Sequence, residues 1–234
     1  MTSAVLGEIR GEPLSAVVLR SLREAIVDGR LMPGAAINEV QISRQLGVSR
    51  APLREALRSL EREGLIASVP YRGAIVTPLT QRGIEEIQAF RRLLEVFAAE
   101  QALPRAGDAE LASLDAIVAE MEQCAAAGDL ACMSAADVRF HTRIIELSGN
   151  ELLLDVWHGY VSRIRRALAL RNRANSDLPS IVAMHRQIVA AFRARDLAAV
   201  ERCYDSHGAD IVVALRHLFA PAPDSAPTNG ASGS

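Results

Sequence analysis

The sequence predicts a mainly α protein in two parts, a small N-terminal domain closed by a β-hairpin and a C-terminal all-helical bundle. Three observations predict it. Gly, Pro and strand-forming residues concentrate before residue 80. From there to about Ala220, Ala-rich stretches place apolar residues at the 3.6-residue helical period. Charge divides at the same point: residues 1–79 carry ten Arg against eight Asp and Glu, whereas residues 80–234 carry sixteen against twenty. The expected domains are therefore 1–79 and 80–220. The Pro-, Ser- and Gly-rich tail, 221–234, has nothing to bury and is expected to be disordered.

Composition excludes several classes. The chain has 234 residues, 50% of them hydrophobic, enough to give each part a core. Its net charge of −2 excludes a uniformly basic nucleic-acid binder but leaves room for a local basic face. All 26 Lys-plus-Arg positions are arginine. No apolar run is long enough to cross a membrane, and the N-terminus lacks the basic and apolar regions of a secretory signal, so a cytoplasmic location is expected. Cys124, Cys132 and Cys203 are odd in number and lack a Cys-x-x-Cys spacing. They read as reduced packing residues.

In the first domain, Leu14–Asp28 is an amphipathic helix ended by Gly29 and then Pro33-Gly34. Glu39–Leu46 is a short helix broken by Gly47. Ser49 caps a longer helix through Glu63, with Pro52 tolerated in the first turn. Leu65–Val69 and Ala74–Thr77 then form a hairpin whose tip carries Arg72. This order is that of a winged helix-turn-helix. On the longer helix, Arg50, Arg54 and Arg58 fall at i, i+4 and i+8 and make one stripe, with Leu53, Leu57 and Leu60 on the opposite side. On an isolated helix such a stripe is simply the solvated face. With a turn before it and a wing after it, it suits the major groove, where a guanidinium can grip guanine O6 and N7. Arg72 at the wing can reach the minor groove or a phosphate, and Gly73 lets the backbone approach closely.

From Thr80 the periodicity gives about six helices, 80–104, 108–127, 129–148, 151–172, 180–194 and 196–219. Four ionisable residues fall on their apolar stripes. Asp137 and His141 are four apart beside Ile144 and Ile145, His185 lies among Ile181, Ile188 and Phe192, and His207 lies among Val200, Ile211 and Leu215. Each alone reads as a core residue bonded to backbone. Together, three imidazoles and a carboxylate suit a divalent transition metal, Zn²⁺ first, with Ni²⁺, Mn²⁺ or Fe²⁺ as alternatives. Arg91 interrupts the stripe Ile84, Ile87, Leu94, Ala98, and must either snorkel to solvent or meet an anion. Arg143 and Arg165 are further arginines of the bundle, and Asn150 stands where it can cap the helix starting at Glu151.

Gly29-Arg30-Leu31-Met32-Pro33-Gly34, Leu46-Gly47-Val48-Ser49-Arg50-Ala51-Pro52-Leu53-Arg54-Glu55-Ala56-Leu57, Glu63-Gly64-Leu65-Ile66 and Arg72-Gly73 resemble the DNA-binding domain of GntR-superfamily transcription regulators. The resemblance implies DNA contacts at Ser49, Arg50, Arg54 and Gly73. Val40 stands where some relatives place a basic DNA contact. The run from Asp137 to Ile144, Ser148-Gly149-Asn150, Met184-His185-Arg186-Gln187-Ile188 and His207 resemble the FCD ligand domain of the FadR-type branch. That resemblance implies a metal held by Asp137, His141, His185 and His207. It also places Arg91, within Arg91-Arg92-Leu93-Leu94-Glu95, at the effector pocket. Arg143, Arg165 and Asn150, the last also a capping residue, are pocket candidates read from the residues themselves. Met184 departs from the Glu that usually precedes the histidine. The expected function is a homodimeric, effector-responsive regulator, most often a repressor, that binds a palindromic operator in double-stranded DNA and senses a small carboxylate. A metal-sensing regulator and a metal-dependent enzyme are the alternatives. Against the enzyme, the core stripes offer no further Glu, Ser or Cys placed as base or nucleophile.

Overall fold

The computed structural model describes residues 12–70, 73–174, 177–216 and 219, without the side chains at 207 and 209. Arg72 and the tail, 221–234, lie outside the described residues. Nine α-helices and three short strands are present among those described. None of these helices is long and apolar enough to cross a membrane.

The N-terminal domain comprises α1 (Leu14–Val27), β1 (Ala36–Ile37), α2 (Glu39–Leu46), α3 (Arg50–Arg62), β2 (Ile66–Val69) and β3 (Gly73–Val76). Asn38 caps α2 by accepting from the Gln41 amide at 3.0 Å, and Gly47 ends it in the left-handed region. Ser49 holds the N-cap position of α3 in an extended conformation, but its hydroxyl makes no cap hydrogen bond. Leu53, Ala56, Leu57 and Leu60 of α3 pack with Val18, Leu22 and Ile26 of α1 and with Leu65, Ile66 and Val76 beneath the wing. The hairpin pairs Ile66 with Val76 and Val69 with Gly73. β1 adds a third strand, pairing Ala36 with Ile75 and Ile37 with Ala74, so the sheet order is β1-β3-β2. This strand has no signature in the sequence, because two residues carry no alternation to detect.

The bundle comprises α4 (Gln81–Ala102), α5 (Asp108–Ala127), α6 (Leu130–Leu147), α7 (Glu151–Ala174), α8 (Leu178–Ala194) and α9 (Leu197–Leu215). Short polar residues start most of them. Thr80 accepts from Gly83, Asp129 from Ala131 and Cys132, Asn150 from Leu153, Asp177 from Ser180 and Asp196 from Ala199. A second core runs from Leu79 through Trp157 and Phe192 to Leu215.

Cys124 and Cys132 correct the expectation of reduced packing residues: they are joined as a disulfide, with Cα atoms 5.6 Å apart. The cause is the α5–α6 turn at Gly128-Asp129, which places positions four residues either side of Gly128 face to face. Cys203 is the free cysteine among the described residues and is half-buried.

The two domains meet along α7. Arg163 Nε donates to the Glu63 carbonyl at 2.6 Å, and Arg166 Nη2 donates to the Thr77 carbonyl at 2.5 Å. Glu63 is itself held by Arg23 of α1 at 2.6 Å. Gly64 follows directly, with φ +69°, and a Cβ there would collide with the Arg163 guanidinium. Gly64→Ala should therefore cost about 1–2 kcal/mol for left-handed backbone alone, plus displacement of Arg163 from the seam. Differential scanning calorimetry reads this as a lower melting temperature; a loss no larger than the backbone cost would mean that Arg163 yields without cost and the seam is loose in solution.

A solvent-facing arginine stripe and a buried ionic cluster

α3 places Arg50, Arg54 and Arg58 on its outer face. Together with Ala51 and Glu55 they line a shallow surface depression. Their exposure follows from the helix period, since the leucines at the intervening turns are the ones buried. Arg54 Nε is steadied by Glu39 Oε2 of α2 at 3.0 Å, with the arginine side chain 59% exposed. A short helix thus orients an otherwise free guanidinium on the next one. Gly73 has φ +75° and nothing within 4 Å of where a Cβ would stand, so the wing here offers bare backbone.

The second site lies inside the bundle. Asp137 and His141 of α6, His185 of α8, Arg91 and Glu95 of α4, and Arg171 of α7 are each 2% exposed or less. The geometry around Asp137 Oδ1 is compact. His141 Nε2 lies 3.3 Å from it, His185 Nε2 lies 3.6 Å from it, and the two Nε2 atoms are 3.3 Å apart. Ligand atoms at the usual Zn–N and Zn–O distances stand about 3.3 Å apart at the corners of a tetrahedron. The three donors already sit at that spacing. His185 Nδ1 donates to the Ile181 carbonyl at 2.7 Å, which leaves its Nε2 lone pair facing the other two donors. His141 Nδ1 stands 3.0 Å from Glu95 Oε2, the carboxylate–imidazole arrangement that orients a ligating histidine. The residues therefore fit a divalent transition metal.

Around these donors the charges are arranged in pairs. Arg171 Nη2 donates to Asp137 Oδ2 at 2.7 Å and also to Asn172 Oδ1 at 2.8 Å, and Asn172 Nδ2 reaches Ser134 Oγ at 2.9 Å. Arg91 Nε donates to Glu95 Oε1 at 2.7 Å. Full burial alone would push the Asp137 carboxyl up. The Arg171 guanidinium, the largest opposing influence, outweighs it and holds Asp137 well below the usual carboxylate range. Burial likewise opposes ionisation of Glu95, and Arg91 with His141 overcomes it. Burial pushes His185 down, keeping it neutral. Burial and the neighbouring Glu95 push the Tyr204 phenol well above its usual value, and its ring lies 6.0 Å from that of His141.

Of the four predicted ligands, three converge. The fourth, His207, is on α9 one turn beyond Tyr204, and its side chain falls outside the described residues. Arg91 does not snorkel; it meets an anion, and that anion is internal. Arg143 lies apart from the cluster, bonded to Ser113 Oγ at 3.0 Å and Glu146 at 3.1 Å. Arg165 is half-buried on α7, and Asn150 caps that helix. Glu95, Arg171, Asn172 and Ser134 escaped sequence reasoning. The available signal on α7 was the seven-residue step from Trp157 to Ile164, which continues to a charged residue at 171.

A winged helix with an outward arginine stripe, joined to a helical domain built around a buried polar cluster, defines the class of two-domain transcription regulators. Residues 14–76 match the gntR family of bacterial regulatory proteins and residues 86–210 match the FCD domain. The chain belongs to the GntR family of transcriptional regulators and carries an FCD domain; these families are regulators, not enzymes. It is 32% identical over 197 residues to the "Probable D-xylose utilization operon transcriptional repressor" of Paenarthrobacter nicotinovorans, covering 82% of this chain and 84% of that one. It is 28% identical over 199 residues to the "Uncharacterized HTH-type transcriptional regulator YdhC" of Bacillus subtilis (strain 168), covering 85% and 89%. The solved structure of Escherichia coli McbR/YncC shares the fold, with a TM-score of 0.74, 23% identity, and coverage of 88% of this chain and 99% of that one.

Proposed function

We propose that this regulator is a homodimeric repressor whose winged helices read a palindromic operator and whose FCD domain binds a divalent transition metal together with a small organic acid. The observation that carries the metal is the tetrahedral spacing of Asp137 Oδ1, His141 Nε2 and His185 Nε2 in a sealed interior. The observation that supports an acid is the set of unused donors beside them. Both terminal nitrogens of Arg91, and Nη1 of Arg171, are buried without a hydrogen-bond partner. A carboxylate on the metal and on Arg91 satisfies them. Because every member of the cluster is sealed from solvent, ligand access requires a helix to move. That links binding to a change of conformation.

The homodimer reading rests on an exposed apolar face. Leu93 and Phe97 of α4 and Leu152 and Val156 of α7 are exposed, Leu152 by 74%. Phe90 lies against Tyr160 with ring centroids 4.5 Å apart, while Thr77, just before α4, meets Arg166 further along α7. The two helices therefore run antiparallel, and the pairing carries Leu93 and Phe97 towards Val156 and Leu152. A second copy covering the face gives the two-fold symmetry a palindrome needs. Repression is the activity named for the Paenarthrobacter relative.

Elemental analysis of the purified chain, reloaded with Zn²⁺ after chelation, tests the reading. About one equivalent of metal per chain is expected, and His141→Ala should lose it and lower the melting temperature together. Less than about a tenth of an equivalent after reloading would return the cluster to a purely structural role. Operator titration with the metal alone separates a metal-sensing regulator, in which no acid is needed.

A further inference from the structure

A cavity lies at the seam between the domains, separate from the ionic cluster. It measures about 580 Å³, within the range of small-molecule sites. Its apolar wall is Ile84, Ile87 and Phe90 of α4 with Tyr160 of α7. Its polar end holds Arg163 and Arg166, which are i and i+3 on α7 and so share a face.

Arg166 is the unusual residue. It is 4% exposed, yet no carboxylate stands within ion-pair distance of it among the described residues. Its one hydrogen bond goes to the Thr77 carbonyl, and its Nε is buried with no partner. Burial lowers it to about 10, so it remains charged at neutral pH. The other buried arginines among the described residues each have a carboxylate: Arg91 has Glu95 and Arg171 has Asp137. Arg163 adds a second positive charge that also donates to a backbone carbonyl, that of Glu63, and its guanidinium stands 5.0 Å from the Tyr160 ring centroid. Glu86 reaches the rim, but it is bound by Arg82 at 2.8 Å and largely exposed. A buried cation without a counter-charge is costly, and a cavity beside it is where the counter-charge can come from outside.

We propose that this seam cavity is an effector site distinct from the metal cluster, and that it takes an amphipathic monocarboxylate, its carboxylate on Arg166 and Arg163 and its apolar body against Phe90, Tyr160 and the isoleucines. Its other walls are Gly64, which closely follows α3, and the Thr77–Thr80 connector. An occupant therefore touches both domains.

Benzoate, phenylacetate and octanoate are the probes, titrated calorimetrically into the full chain, with benzyl alcohol as the uncharged control. At least one acid should bind saturably at one site per chain, and the alcohol should not. Arg166→Met keeps the apolar stem and should weaken binding about tenfold or more, whereas Arg166→Lys should retain most of it. Ile87→Trp, which adds bulk to the apolar wall and keeps both arginines in the sequence, should also abolish binding. Chelating the metal should leave the affinity unchanged. No saturable binding of any acid at millimolar concentration would overturn the site. So would binding that survives both Arg166→Met and Ile87→Trp, or that disappears on chelation, since that acid would then be at the metal cluster.

Discussion

Arg171→Ala should destabilise the bundle by about 3–5 kcal/mol, the cost of leaving a buried charge without its partner. Arg171 is 1% exposed and donates to Asp137, which is fully buried on a different helix. Removing the guanidinium leaves the Asp137 carboxylate facing two imidazoles without its hydrogen-bonded cation, and leaves Asn172 without the donor to its side-chain oxygen. Urea denaturation of the metal-free chain measures the loss. A divalent cation on Asp137, His141 and His185 supplies positive charge at the same place. Added Zn²⁺ should then restore more stability to Arg171→Ala than it adds to the wild type. A loss below about 1 kcal/mol in the metal-free chain would mean that Asp137 is not ionised in the folded state.

Arg54→Ala should weaken operator binding by about 1–3 kcal/mol if the side chain reads a base. Arg54 sits at the middle of the α3 stripe, 59% exposed and aimed by Glu39. An operator selected from random DNA by the wild-type chain provides the substrate, and fluorescence anisotropy the affinity. Melting temperature and oligomeric state should be unaffected, because the side chain supports nothing in the core. A loss that is uniform across sequences, with a shallower salt dependence, would reassign Arg54 to a phosphate. Unchanged affinity would remove α3 as the reading helix.

Features written in one element's own periodicity are legible in the amino-acid sequence alone. The α3 stripe, the hairpin and the helices of the bundle follow from spacing and from Gly, Pro and capping residues. So does the placing of Asp137, His141 and His185 on buried stripes, because an ionisable residue there is anomalous by itself. The counter-ions are not legible. Glu95 looks like an ordinary member of a charged helix, and whether Arg91 snorkels or turns inward depends on what α6 and α9 put beside it. Arg171 continues the seven-residue step of Trp157 and Ile164, but its carboxylate is 34 positions away in the chain. The Cys124–Cys132 pair is hidden for a related reason, since the geometry of the Gly128 turn decides it and the spacing matches no cysteine motif. Arg166 and the seam cavity exist only once two separately predicted domains are docked.

α7 runs 24 residues without a break, about 36 Å of continuous hydrogen-bonded rod. Leu152 and Val156 stand on the exposed apolar face at its first turns, Arg163 and Arg166 brace the DNA-binding domain at its middle, and Arg171 grips Asp137 near its end. A rod of this kind is stiff along its axis. A slide or roll that frees Arg171 from Asp137 must also carry the carbonyl-bound arginines past Glu63 and Thr77, and shift the exposed Leu152. The protein therefore has few independent mechanical freedoms: three places that look separate in sequence behave as points on one lever.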